Sequence, residues 1–308
     1  MEFENPIGLA AGFDKSGELL DRVHCLGFGF TEIGTVTPQP QEGNPKPRLF
    51  RLRRERALLN RMGFNNDGMR EVKKRLAEKS QRRIPIGINI GKNRETPIEE
   101  AKEDYRQVLR ELFEYGDYFA INVSSPNTPN LRTLQRKEIL GSLLGGLKEE
   151  NERLAKEMGL PPKPLFVKVS PDLSKGELDD IVEVTLKYGI TGLIATNSTS
   201  NHSYQEISER SPLGKGGLTG PPLRERATEV IRYLYRKAQG RIVIIGVGGS
   251  ATGEDAYEKI QAGASLIQIY TGLIYEGPSI VKKINRELKR LLERDGYSNI
   301  CEAIGSKT

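Results

Sequence analysis

Eight short, nearly continuous apolar runs recur along the chain. They lie at residues 7–12, 28–36, 84–90, 118–123, 165–169, 192–196, 242–247 and 266–270. Strands that are apolar on both faces belong to a parallel sheet covered on both sides. Helical periodicity fills the intervals, at 17–26, 69–77, 98–113, 139–158, 175–188, 223–238, 253–262 and 279–292. In the first of these Leu19, Leu20, Val23 and Leu26 share one stripe. Thr96 before Pro97 marks one helix start, and Ser174 ahead of Lys175-Gly-Glu177 has the spacing of a capping box. Eight strand–helix alternations with right-handed crossovers predict an α/β fold, a closed (β/α)8 TIM barrel rather than an open doubly wound sheet. A chain of 308 residues with no Gly/Ser linker or composition break is expected to form one domain over residues 1–308.

Two segments exceed the usual connection length. Residues 37–66 contain Arg48-Leu-Phe-Arg-Leu-Arg53 and Ala57-Leu-Leu-Asn60, which predict a small antiparallel hairpin. Residues 198–222 carry Gly214, Gly216, Gly217 and Gly220 and read as a lid-like loop. Long excursions after strands are where barrels build binding loops.

Composition narrows the function. The net charge is +6, but acidic and basic residues interleave on presumed helix faces, as on solvated surface rather than a nucleic-acid patch. Cys25 and Cys301 stand far apart without a motif, which suggests free thiols in a reducing compartment. With only His24 and His202, a histidine metal site or a Ser-His-Asp triad has almost no material, and no metal is expected. No apolar run approaches the ~18 residues of a spanning helix. The chain starts bluntly, with core strand expected from Ile7 and no targeting segment.

The strand ends carry the chemistry. In Tyr118-Phe-Ala-Ile-Asn-Val-Ser-Ser-Pro-Asn-Thr-Pro-Asn-Leu-Arg132 an apolar strand delivers a cluster of amides and hydroxyls, which reads either as a turn or as the wall of a site. The same switch recurs at Ala10-Ala-Gly12 with Lys15, Gly34-Thr35, Asn89-Ile-Gly-Lys-Asn93, Lys168-Val-Ser170, Thr196-Asn-Ser198, Gly248-Gly249 and Tyr270-Thr271. A barrel gathers all these ends around one mouth, where small residues let a planar ligand approach the backbone while two lysines, asparagines and hydroxyls converge on it. Gly246-Val-Gly-Gly249 and Tyr270-Thr-Gly272 close strands seven and eight, the corner where barrels often hold a phosphate. Gly246-x-Gly248-x-x-Ala251 also meets a loose dinucleotide fingerprint. It sits in the seventh unit rather than the first, however, and the next strand end carries Gln268 and Tyr270 rather than an acidic residue.

These segments taken together resemble the second class of dihydroorotate dehydrogenases, the quinone-dependent, membrane-associated family. The matches are Asn5-Pro-Ile-Gly-Leu-Ala-Ala-Gly-Phe-Asp-Lys15, Glu32-Ile-Gly-Thr-Val-Thr-Pro38, Asn60-Arg-Met-Gly-Phe-Asn65, Gly87-Ile-Asn-Ile-Gly-Lys-Asn93 and Asn122-Val-Ser-Ser-Pro-Asn-Thr128. They continue with Lys168-Val-Ser-Pro-Asp172, Thr196-Asn197, Gly216-Gly-Leu-Thr-Gly220, Ile245-Gly-Val-Gly-Gly249 and Gly263-Ala-Ser-Leu-Ile-Gln-Ile-Tyr270.

The resemblance implies FMN as cofactor and oxidation of dihydroorotate to orotate in pyrimidine synthesis, with electrons passed to a quinone. It implies Ser125 as the catalytic base, where the first class carries a cysteine on another loop; Ser124 is expected to point away. Lys15, Asn60, Asn122, Asn127, Asn197 and Ser198 match the pyrimidine-binding positions. Amides suit a cyclic diimide, and the lysine suits its carboxylate. Lys168 matches the position beside the flavin's pyrimidine edge, where a cation stabilises reduced flavin. Ala10, Ala11, Gly12, Thr35, Asn89, Asn122, Thr196, Thr219, Gly220, Gly248, Gly249, Tyr270 and Thr271 match other FMN contacts.

Relatives in that class carry a helical segment before the first barrel strand, which anchors them to the mitochondrial inner membrane or the bacterial cytoplasmic membrane and walls a quinone tunnel. That segment is expected to be missing here, leaving a soluble chain, an incomplete quinone site and slow turnover with quinone. Arg51 and Tyr270 match positions lining the inner tunnel. Two other readings stay open: a barrel aldolase or isomerase with Lys168 as Schiff-base lysine and a phosphorylated substrate, and a catalytically impaired truncated form.

Overall fold

A computed structural model describes residues 1–78, 83–201 and 215–308 of the chain. Eleven strands run through them: β1 (Ile7–Leu9), β2 (Phe30–Val36), β3 (Leu49–Leu52), β4 (Ala57–Asn60), β5 (Ile86–Ile90), β6 (Tyr118–Asn122), β7 (Leu165–Val169), β8 (Gly192–Ala195), β9 (Gly217–Thr219), β10 (Val243–Val247) and β11 (Leu266–Ile269). Eight close a parallel barrel in the order β1-β11-β10-β8-β7-β6-β5-β2. The eight predicted runs are these eight strands, one of them unchanged and the others trimmed by one to three residues at their ends, within the usual play of strand boundaries.

The described α-helices are α1 (Gly68–Glu78), α2 (Ala101–Leu112), α3 (Lys137–Met158), α4 (Lys175–Lys187), α5 (Arg224–Ala238), α6 (Gly253–Gln261), α7 (Thr271–Glu276) and α8 (Ile280–Asp295). Each long helix buries one stripe against the barrel; on α8 it is Ile280, Val281, Ile284, Leu288 and Leu291. Burying each such side chain contributes about 1.5–3 kcal/mol. Ser174 starts α4 with the expected capping box, its hydroxyl accepting from the Glu177 N–H and Glu177 accepting from the Ser174 N–H.

The predicted helix over 17–26 is largely absent. Only a 3-10 turn, Val23–Leu26, forms. The Asp14 carboxylate accepts from the Glu18 and Leu19 N–H groups at 2.8 and 2.9 Å, and Gly17 sits at φ +76°, so the backbone is committed to a loop before a helix can start. Thr96 does not cap; Pro97 occupies the cap position of a 3-10 turn, and the Thr96 carbonyl accepts from the Lys92 ammonium instead.

Inside the barrel, Phe30, Tyr118, Phe166, Ile194 and Ile245 fill the lower lumen. Their bulk forces small neighbours. A Cβ on Gly8 would lie 2.3 Å from the Phe30 ring, and one on Gly87 would lie 2.0 Å from Tyr118. The predicted hairpin is β3 and β4, and β9, from the second insertion, adds a third antiparallel strand against β4. Most of the predicted lid-like loop, with Gly214 and His202, lies outside the described residues. Among the described residues no helix is long and apolar enough to cross a membrane.

Candidate active site

One cleft of about 1200 Å³, its open mouth included, lies over the C-terminal ends of the barrel strands and under the β3-β4-β9 sheet. The structure brings nearly every residue singled out above to its wall: Ala10, Ala11, Gly12, Lys15, Thr35, Asn60, Asn122, Ser125, Asn127, Lys168, Thr196, Asn197, Ser198, Thr219, Gly220, Gly248, Gly249, Tyr270 and Thr271. Asn89 is the exception. It stands one layer down, donating to the Glu32 carboxylate at 2.8 Å and accepting from Asn122 at 3.1 Å and from Thr35. The strand register explains this, since Asn89 lies level with Ala120 whereas Lys168 lies level with Asn122, one inward step higher. Arg51 is exposed on β3 and does not line the cleft. Lys92, from the segment 89–93, is also turned away, its ammonium held by the carbonyls of Asn93, Arg94 and Thr96.

The amides bridge one another. Asn127 Nδ2 donates to Asn60 Oδ1 at 2.9 Å, and Asn60 Nδ2 donates to the Gly217 carbonyl at 3.0 Å. Asn197 Nδ2 donates to Ser124 Oγ at 3.0 Å and to Asn122 Oδ1 at 3.3 Å. Such mutual bonding fixes which amide face each side chain offers to a ligand. Ser124 is therefore tied into the amide network and is not part of the wall, whereas Ser125 lines the cleft and its Oγ accepts from the Asn127 N–H at 3.3 Å.

Two lysines differ in their partners. The Lys168 ammonium is buried and pairs with Glu32 at 3.3 Å. Among the described residues, no acceptor meets the Lys15 ammonium. Burial, and then the Arg48 guanidinium, lower its pKa to about 8. A half-buried cation with no partner among the described residues, on the wall of a cleft, calls for an anionic ligand.

The corner after β10 and β11 is also underfilled in its bonding. Among the described residues, none accepts from the N–H groups of Gly249 or Ser250, and the buried Ser250 Oγ and Gln268 Oε1 lack partners although both residues line the cleft. The turn is glycine for a reason. Gly249 sits at φ +77°, and a Cβ there would meet the Arg224 backbone at 2.7 Å.

Sequence reasoning missed several members. Glu32 and Tyr118, beneath the cleft, form a buried polar cluster with Gln268 on its floor, and a carboxylate within the apolar run 28–36 was the available signal. Thr128 Oγ1, three residues after Ser125, is buried without a partner among the described residues. Helix α7 was unpredicted; its Tyr275 hydroxyl donates to the Leu52 and Ala57 carbonyls and ties the hairpin to the barrel mouth.

Comparison with known proteins bears on this arrangement directly. The family model described as dihydroorotate dehydrogenase matches residues 1–292. The chain belongs to the dihydroorotate dehydrogenase family. It is 51% identical over 288 residues to the dihydroorotate dehydrogenase (quinone) of Christiangramia forsetii, covering 94% of this chain and 82% of that one. It is 50% identical over 308 residues to the dihydroorotate dehydrogenase (quinone) of Anaeromyxobacter dehalogenans, covering 99% and 83%. The crystal structure of the Eimeria tenella dihydroorotate dehydrogenase in complex with ferulenol superposes with a TM-score of 0.93 at 39% identity, covering 99% of this chain and 86% of that one. The barrel with its small antiparallel sheet is thus the dihydroorotate dehydrogenase architecture, and the chain is a quinone-type, flavin-dependent dehydrogenase.

Proposed function

We propose that this dehydrogenase oxidises dihydroorotate to orotate with FMN as its flavin and a quinone as the final acceptor, which puts its turnover at a membrane surface. The observation that carries this reading is a single cleft that joins Ser125, Lys15, whose ammonium meets no acceptor among the described residues, and the bridged amides of Asn60, Asn127 and Asn197. FMN fits the remaining wall. Ala10, Ala11 and Gly12 leave room for a flat ring, Lys168 and Gln268 offer polar contacts from the barrel floor, and the N–H groups of Gly249 and Ser250, which meet no acceptor among the described residues, suit the phosphate together with Ser250 Oγ.

When bound, the flavin supplies the hydride acceptor for one substrate carbon and the route by which two electrons reach quinone. Ser125 takes the proton from the adjacent carbon, so that the substrate loses one proton and one hydride and gains a double bond. A serine hydroxyl is a weak base in water, so Oγ takes the substrate proton as it gives up its own to water, while the Asn127 N–H holds Oγ in place. Lys15 pairs with the substrate carboxylate, and the amides of Asn60, Asn127 and Asn197 bond its ring carbonyls and N–H groups. The aldolase reading has no support: the Lys168 ammonium is committed to Glu32 rather than free to attack a carbonyl.

The test is anaerobic mixing of the FMN-loaded protein with dihydroorotate. Flavin absorbance should bleach, and Ser125→Ala should slow bleaching by roughly 10²–10⁴-fold, the usual range for loss of a general base, with orotate affinity unchanged. Bleaching at the wild-type rate in Ser125→Ala, or none in the wild type, overturns the proposal.

A further inference from the structure

We infer that Glu32 is a positioning residue for the redox centre: its carboxylate holds and neutralises the Lys168 ammonium, and so limits how strongly the barrel floor favours reduced flavin. This rests on the functional reading above and deepens it. Glu32 lies midway along β2, is fully buried and does not line the cleft. Four donors on four other strands converge on it. Oε1 accepts from Asn89 Nδ2 at 2.8 Å and from Lys168 Nζ at 3.3 Å; Oε2 accepts from Gln268 Nε2 at 2.7 Å and from the Tyr118 hydroxyl at 3.1 Å. The Tyr118 phenol keeps its proton to donate, because burial first and the charge of Glu32 second push its pKa well up. Two of the four donors, Lys168 and Gln268, themselves line the cleft, and Asn89 accepts from two lining residues, Thr35 and Asn122.

The plain alternative is an ion pair that merely fills the lumen. The layer below shows that apolar side chains can do that: Phe30, Phe166, Ile194 and Ile245 need no charge. A buried carboxylate is retained against its desolvation when donors meet its lone pairs, and four meet those of Glu32. Its electrical effect then falls on the cleft. Without Glu32, Lys168 would present a full uncompensated cation through a medium of low dielectric; with it, the pair is neutral overall and the ammonium acts through local hydrogen bonding. Reduced flavin carries more negative charge than oxidised flavin. Removing the carboxylate charge must therefore favour the reduced form, and removing the lysine must do the reverse.

Spectroelectrochemical titration of the FMN-loaded full chain, without dihydroorotate, reads this out. Glu32→Gln should tilt the equilibrium at least tenfold toward reduced flavin, a rise of about 30 mV for a two-electron couple. Lys168→Met should tilt it at least tenfold the other way, and the double variant Glu32→Gln/Lys168→Met should lie within tenfold of wild type. A purely structural role would lower thermal stability in the single variants without moving their potentials in opposite directions. A Glu32→Gln potential equal to or below that of wild type overturns the inference. Should Glu32→Gln not fold, the double variant decides, and a potential as low as that of Lys168→Met overturns it. If wild type keeps no FMN, this inference and the functional reading fall together. If it keeps FMN and bleaches with dihydroorotate while the Glu32 potentials disobey, this inference falls alone.

Discussion

Lys15 carries its charge where burial disfavours it, and that makes it a titration probe. Its folded pKa is lowered to about 8, first by burial and then by Arg48, against about 10.4 in the unfolded chain. Below pH 8 both states are protonated and the fold bears the whole penalty. Between pH 8 and about 10.4 the unfolded chain binds the extra proton, so stability rises with pH. Lys259 shifts the same way, driven by burial, so the comparison with Lys15→Met isolates the effect. In denaturant titrations the ligand-free wild type should gain on Lys15→Met as pH climbs from 8 to 10. A carboxylate ligand has the opposite dependence. It needs the ammonium, so its affinity should fall above pH 8 by up to about tenfold per unit, and Lys15→Met should weaken it roughly 10- to 100-fold at pH 7, the worth of one charged hydrogen bond. Calorimetry with orotate at stepped pH measures both. Such residues were legible because polar groups at the ends of apolar strands in a barrel point to one place. Asn89 was misplaced because alternation tells inward from outward but not which inward layer a side chain occupies. That depth comes from register, which depends on pairing across strands far apart in sequence.

The elements show where local pattern suffices and where it fails. Helices α2, α3 and α8 followed from their apolar stripes. The segment 17–26 has a stripe too, yet the Asp14 side chain takes the N–H groups a helix would need. Strand β9 was invisible, since three residues that begin on the second glycine of a pair carry no period; only the exposed edge of β4 makes them a strand. Glycines in strands mark bulky neighbours. Gly87→Ala would drive a methyl into the Tyr118 ring, so unfolding free energy should drop by at least about 1–3 kcal/mol in thermal or urea denaturation. Between α2 and α3, Glu150 is buried beneath three guanidiniums. Burial alone would raise its pKa, but hydrogen bonds from Arg153, Arg106 and Arg110 prevail and lower it to about 2. Its contribution is therefore present above the ordinary carboxylate pKa and disappears as pH falls from about 4.5 toward 2. In acid titrations the stability gap between wild type and Glu150→Gln should close across that window, and a gap independent of pH would refute the assignment.

At the scale of the molecule, barrel strands and both insertions share one cleft, so ligands should brace them together. At a hundredfold excess over its dissociation constant a ligand adds about 2.7 kcal/mol of stability, several degrees in Tm for a chain of this size. FMN and orotate should give separate increments in differential scanning fluorimetry, and Lys15→Met should lose most of the orotate increment at a fixed orotate concentration. The cover of the cleft has a peculiar construction. Asn60 on β4 and Gly217 beside it on β9 are 157 residues apart in the chain, yet Asn60 Nδ2 donates to the Gly217 carbonyl, and Thr199 bridges to Leu218 on the far side. A canopy stitched from two distant stretches cannot swing aside on a hinge belonging to either one. Traffic of reactant and product must slip past its flank or await the breaking of that seam, and the rate at which the Thr219 amide, which faces β4, trades its hydrogen for deuterium would clock the second route.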